Sequence, residues 1–191
     1  LKGRCRYCRA PVSIQYPAVE LLTASAFILC LLSKGPGMGS AIMCMFSGIL
    51  ITAAFIDARH MYIPDGIHVL ILLLSCISLA AGSAPSLMNR LGGSLLTGGF
   101  LALVNLLSRG GVGWGDVKLF AASGLLIGAA PAMTALLMGY VTAGLWYAVP
   151  LLRGRVGRKT QIPMAPFFAV SLMICGLWFR QLLLWYLGFF R

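Results

Sequence analysis

Long apolar runs dominate this chain and restrict its fold more than any other feature. Seven can be traced, at about 17–32, 40–56, 67–81, 91–107, 117–130, 132–152 and 165–189. Inside a bilayer no water is present to pair with free backbone N–H and C=O groups, so such runs must form helices. A full span needs about 20 mostly apolar residues, and several of these runs are short for one. The run at 117–130 is the shortest, so the segment before it is expected to dip into the membrane. Breaks fall at Gly35-Pro36-Gly37, Ala84-Pro85, Ala130-Pro131 and Ile162-Pro163, where glycine and proline interrupt helices. Gly124 and Gly128 form a GxxxG, a spacing that lets two membrane helices approach closely. The expected fold class is all-α: a polytopic integral membrane bundle of about seven transmembrane helices.

Charge supports that reading. Only 10% of the 191 residues are charged, 60% are hydrophobic, and the mean hydropathy is +0.93. A soluble domain of this size carries far more charge. The net charge of +11 is spread over short segments between the apolar runs. That placement suits membrane topology and anionic lipid headgroups, and it excludes a compact nucleic-acid-binding surface. Anionic membrane lipid is therefore an expected partner, and nucleic acid is not. Cys30, Cys44, Cys76 and Cys175 lie in apolar runs, where a thiol acts as a small hydrophobe. Cys5 and Cys8 form a lone CxxC in a basic segment.

Acids are scarce. The chain has four: Glu20, Asp57, Asp65 and Asp116. Acidic groups beside membrane spans are energetically expensive and usually functional. Asp57 ends an apolar run, and Asp116 follows the glycine-rich stretch Gly110–Gly115. If the second and fifth helices are neighbours, both acids face one cleft. Two close carboxylates share a proton, so one serves as base toward water and the other as acid toward a carbonyl. The helix dipole disfavours charge at Asp57 and favours it at Asp116, which points to Asp57 as the protonated partner. Simpler roles are also open at this stage. Asp116 suits a helix N-cap, and Asp57 an ion pair with Arg59. Asp65 is expected to cap the third helix, and Glu20 to close a buried polar contact. The glycine stretch follows no strand and precedes no Walker pattern, so its use is close backbone approach, as to an extended peptide. His60 and His68 fall in no metal motif.

Together these pieces resemble the type 4 prepilin peptidase family of GxGD membrane aspartyl proteases. The similar segments are Gly3-Arg4-Cys5-Arg6-Tyr7-Cys8 with Gln15-Tyr16-Pro17, Ile56-Asp57-Ala58-Arg59-His60 with Ile63-Pro64-Asp65, Gly113-Trp114-Gly115-Asp116-Val117-Lys118, and Ile162-Pro163-Met164-Ala165-Pro166-Phe167. The resemblance implies Asp57 and Asp116 as the catalytic pair, with Gly113, Gly115 and Lys118 as substrate-binding residues. It implies cleavage of basic leaders from prepilins or pseudopilins, of type IV pili or type II secretion, at the cytoplasmic face of a bacterial inner membrane. Residues 1–16 resemble the end of a cytoplasmic domain, and 17–191 the transmembrane protease domain. Leu1 is not a start methionine, so residues are expected before it. Family members carry an earlier helix and a second CxxC. Zinc at Cys5 and Cys8, and methylation with S-adenosylmethionine, are expected only with that segment, since two thiolates are half a tetrahedral site. Proteolysis itself needs no cofactor. Signal-peptide-peptidase-like proteases share the GxGD idea, but their first motif has tyrosine before the aspartate, where this chain has Ile56. A transporter or assembly subunit is the non-enzymatic alternative; transporters favour acids at the bilayer midplane.

With seven crossings, eleven of the fifteen Lys and Arg residues fall on one side and four on the other. Basic loops stay in the cytoplasm. The N-terminus is thus predicted inside and the C-terminus outside. Reporter fusions at Arg155 and Arg191 should read opposite sides; a shared side would refute seven crossings.

Overall fold

A computed structural model describes residues 7–8, 13–154 and 162–189. Seven α-helices follow one another: α1 (Gln15–Lys34), α2 (Met38–His60), α3 (Asp65–Ala80), α4 (Leu87–Leu107), α5 (Trp114–Ile127), α6 (Ala129–Leu152) and α7 (Ala165–Phe189). No strand occurs among the described residues. The protein is a polytopic membrane helical bundle. Five helices are long and apolar enough to cross a bilayer; α3, with 16 residues, and α5, with 14, are shorter. At 1.5 Å per residue α5 is about 21 Å long, against a hydrocarbon core of about 30 Å. The bundle is correspondingly inside-out relative to a soluble protein. Large side chains such as Leu95, Leu145, Trp146 and Trp185 are exposed on its surface, as contact with lipid tails requires.

The core gathers Phe46 and Leu50 of α2, Ile71 of α3, Leu119 and Phe120 of α5, Leu136 of α6, and Phe168 and Leu172 of α7. Phe168 is central, meeting Phe120 and Tyr140 edge-on at ring separations of 4.9 and 5.2 Å. The most extensive pairing is α4 with α5. Its cause is a mutual absence of side chains. A Cβ on Gly93 would sit 2.5 Å from the Gly124 carbonyl oxygen, and one on Gly124 would sit 2.5 Å from the Gly93 backbone. Gly124 is thus a contact glycine, as the GxxxG suggests. Gly128 shares the contact, since that Gly93 Cβ would also sit 2.7 Å from its carbonyl carbon, and it has a second use. With φ of 89° it ends α5 and turns the chain into α6.

Polar side chains buried in the bundle serve the ends of α5. Arg90 is 1% exposed. Its guanidinium donates to the carbonyls of Leu125 and Leu126 in the last turn of α5, and to Pro85, Ser83 and the Ser78 hydroxyl. Ser75 of α3 also donates to the Leu125 carbonyl, at 2.8 Å. These bonds satisfy carbonyls that a helix C-terminus leaves without partners. Asn89 does the reciprocal service for α6, accepting the Ala129 amide at 2.8 Å. Two expectations fail here. Glu20 is exposed on α1 and closes no buried contact. Asp65 is the first residue of α3, with Pro64 at the cap position, and its side chain makes no capping bond.

The glycine contact gives a stability prediction. Gly124→Ala should destabilise the bundle by roughly 1–3 kcal/mol, because backbone on both helices must move apart. Gly99→Ala on α4, where a Cβ meets nothing within 4 Å, should be neutral or better. Thermal unfolding in detergent compares the two; equal melting temperatures would contradict the packing account.

Candidate active site

Asp57 lies in the last turn of α2 and Asp116 in the first turn of α5. The α2 helix stops at Met61, whose left-handed φ of 53° reverses the chain toward Pro64 and α3. On the other side the chain leaves α4, passes Arg109 and Gly110, both with positive φ, and starts α5 after Gly113. Both turns open into one cleft of about 700 Å³, and both acids line it. Its walls are Met61 to Ile63, Gly110 to Gly115, Tyr140 of α6, and Ile162 and Met164 before α7. A second cavity of about 590 Å³ lies at the opposite helix ends, among Lys34, Asn89 and Arg180, and no acid lines it.

The helices that carry the acids do not pair along their lengths. Instead α3 packs against both α2 and α5, and α7 packs against α2 and touches α5. The acids therefore face one cleft from two helices that are joined through their neighbours. The Asp57 charge acts on Asp116 across that cleft. Asp57 is buried, and its Oδ2 accepts the Ala165 amide N–H at 2.9 Å. Ala165 opens α7, so the bond uses an amide that a helix start leaves without a partner. It takes the place of the ion pair with Arg59. Among the described residues no group donates to the Asp116 carboxyl, and no side chain caps α5.

The glycine stretch is held from below by Asn105, a buried residue in the last turns of α4. With its amide oriented by these neighbours, its nitrogen donates to the Val112 carbonyl at 2.9 Å and its oxygen accepts the Trp114 indole N–H at 3.2 Å; the reverse orientation would set acceptor against acceptor. The Ser108 hydroxyl accepts the Gly111 amide at 3.0 Å. Gly113 and Gly115 line the cleft beside Asp116. Lys118 does not line it. Its ammonium sits 2.6 Å from Asp65 Oδ1 at the exposed start of α3. That hydrogen bond and charge hold the Asp65 carboxyl below the usual carboxylate range.

Residues 44–148, which include both cleft acids, match the Type IV leader peptidase family. This chain belongs to the Type IV leader peptidase family. Residues 1–34 match the Bacterial Peptidase A24 N-terminal domain. Among relatives, a prepilin leader peptidase/N-methyltransferase of Aeromonas hydrophila is 33% identical over 98% of this chain and 66% of its own length. One of Bacillus subtilis strain 168 is 30% identical over 97% of the chain and 75% of its own length. A type 4 prepilin-like proteins leader peptide-processing enzyme of Escherichia coli O78:H11 is 38% identical over 90% and 64%. The chain thus spans about two thirds of the length of these relatives. No solved structure matches it.

Within this leader peptidase family member, the cleft uses residues that local patterns do not single out. Asn105 and His68 leave only one trace in the sequence, as polar residues inside apolar runs. Tyr140 leaves none, and Ala165 only its place in the 162–167 segment, because their roles exist only across the fold. Cys8 is exposed, and Cys5 lies outside the described residues, as do Arg155, Arg158 and Lys159.

Proposed function

We propose that this chain is an aspartyl endopeptidase that removes the basic leader from type IV prepilins or pseudopilins. The observation that carries the reading is that two of only four acids in the chain line one cleft at the ends of α2 and α5. An amide N–H aimed at a carboxyl oxygen suits an ionised acid, so Asp57 is the resting base and Asp116 holds the shared proton. This reverses the assignment that the helix dipole alone suggests, because a direct hydrogen bond outweighs a partial charge at a helix end. Water gives a proton to Asp57 as its oxygen attacks the scissile carbonyl carbon. Asp116 gives its proton to the carbonyl oxygen, producing a neutral gem-diol. Collapse of that diol breaks the C–N bond; Asp57 protonates the leaving amine, and a diol hydroxyl returns its proton to Asp116. Methyl transfer is no part of this reading.

Gly113 and Gly115 are the proposed peptide-contacting positions. Without side chains they let an extended substrate strand approach the acids closely. Lys118 supports that wall through its bond to Asp65. A prepilin has a basic leader and an apolar helix. With the acids at the cytoplasmic face of the inner membrane, its scissile bond lies level with them and within reach of water. The basic loops of this chain repel a basic leader, so recognition rests on the apolar helix and on anionic lipid around the site.

Asp57→Asn and Asp116→Asn should each reduce prepilin cleavage to background while the protein stays folded in detergent. Asp65→Asn should cost no more than about tenfold, which is roughly 1.4 kcal/mol in the barrier. Gel assays of the purified variants decide; turnover by either dyad variant would remove the mechanism, and equal loss at Asp65 would mean that the wrong first aspartate is assigned. On the substrate side, a charge placed near the start of the apolar helix should weaken processing strongly, while apolar exchanges there should matter little. A soluble leader peptide without that helix should be cut poorly, and efficient cleavage of it would refute recognition through the helix.

A further inference from the structure

We propose that His68 is a positioning residue for Asp116. As regards rates this rests on the dyad reading above; as regards structure it does not. His68 lies one turn into α3 and is 5% exposed, on the side facing α5. Its Nε2 is 3.1 Å from the Gly115 carbonyl oxygen. A carbonyl can only accept, so Nε2 carries the proton and donates. The Gly115 carbonyl and the Asp116 amide belong to one rigid peptide plane. Holding that oxygen therefore fixes the plane from which the Asp116 side chain projects. Gly115 has no side chain to obstruct this approach. A Cβ there would lie 3.3 Å from the Ile63 side chain, at the tight end of contact.

A second grip lies three residues along the same helix. Lys118 Nζ binds Asp65 Oδ1 at 2.6 Å, and the same oxygen is 3.5 Å from His68 Nδ1. α5 is thus held to α3 at two points, Gly115 by His68 and Lys118 by Asp65. Asp116 sits in the chain between the two gripped residues. The other ring nitrogen, Nδ1, is buried and makes no hydrogen bond. An imidazole with one buried nitrogen unpaired is a poor choice for filling space, since such a group destabilises a fold. Its one hydrogen bond is the one Nε2 donates.

Experiment can separate positioning from mere packing. His68→Leu fills the volume and removes the donor; His68→Gln places an amide N–H near the position of Nε2. For the leucine variant kcat should fall about tenfold or more with KM within about twofold, because sub-ångström misplacement of a reacting group acts on the chemical step. His68→Gln should recover most of kcat. Hydrogen–deuterium exchange over residues 110–118 gives a readout that needs no substrate: faster exchange in His68→Leu than in wild type, and near-wild-type exchange in His68→Gln. The idea is overturned if the leucine variant keeps full kcat, or if both variants lose activity and exchange protection equally. Should the wild-type protein fail to cut any prepilin, the protease reading falls, and the exchange comparison still judges His68.

Discussion

A helix too short for the bilayer must have its ends satisfied by side chains from its neighbours, and α5 is such a helix. At its C-terminal end Arg90 and Ser75 donate to its last carbonyls. At its N-terminal end Asn105, His68 and the Lys118–Asp65 pair hold the first turn and the loop before it. Every one of those partners comes from α3 or α4, apart from Lys118 on α5 itself. Neighbouring helices thus hold α5 at both ends, and the side chains at its N-terminal end are the ones that locate Asp116.

The position of the acids follows from the same arithmetic of helix ends. An α2 that stops at Met61 leaves Asp57 in its last turn, and an α7 that starts at Ala165 offers a free amide opposite it. A carboxylate at this depth needs a donor, and a helix start needs an acceptor; each meets the need of the other. Glycines on the facing wall keep bulk out of the cleft. The site is thus assembled from termini, where backbone polarity is available, and the apolar helix interiors serve as its frame.

Much of the frame is legible in the sequence, because hydropathy in a membrane protein reports helix positions directly. The seven apolar runs lie within a few residues of the seven helices, and the shortest run is the shortest helix. Asp57 and Asp116 stand out because acids are so few. Partnerships between distant residues are not legible in this way. By sequence Arg90 counts only as a loop charge, yet it is the largest fully buried side chain and caps α5. His68 has no visible role until α3 lies against α5. The condition that α2 and α5 be neighbours, and the expectation that Asp65 caps α3, come from chain-local logic. Both give way to contacts made by α3 and α7.

The backbone contact between Gly93 and Gly124 also has a mechanical meaning. With no side chains between them, α4 and α5 pack backbone to backbone and form one plank, with Asp116 at its edge. Asp57 belongs to the other plank, α2 with α7, and carries the Ala165 amide along with it. The cleft lies along the seam between these two pairs. The hydrogen bond from the Ala165 amide to Asp57 lies inside one of them and does not cross the seam.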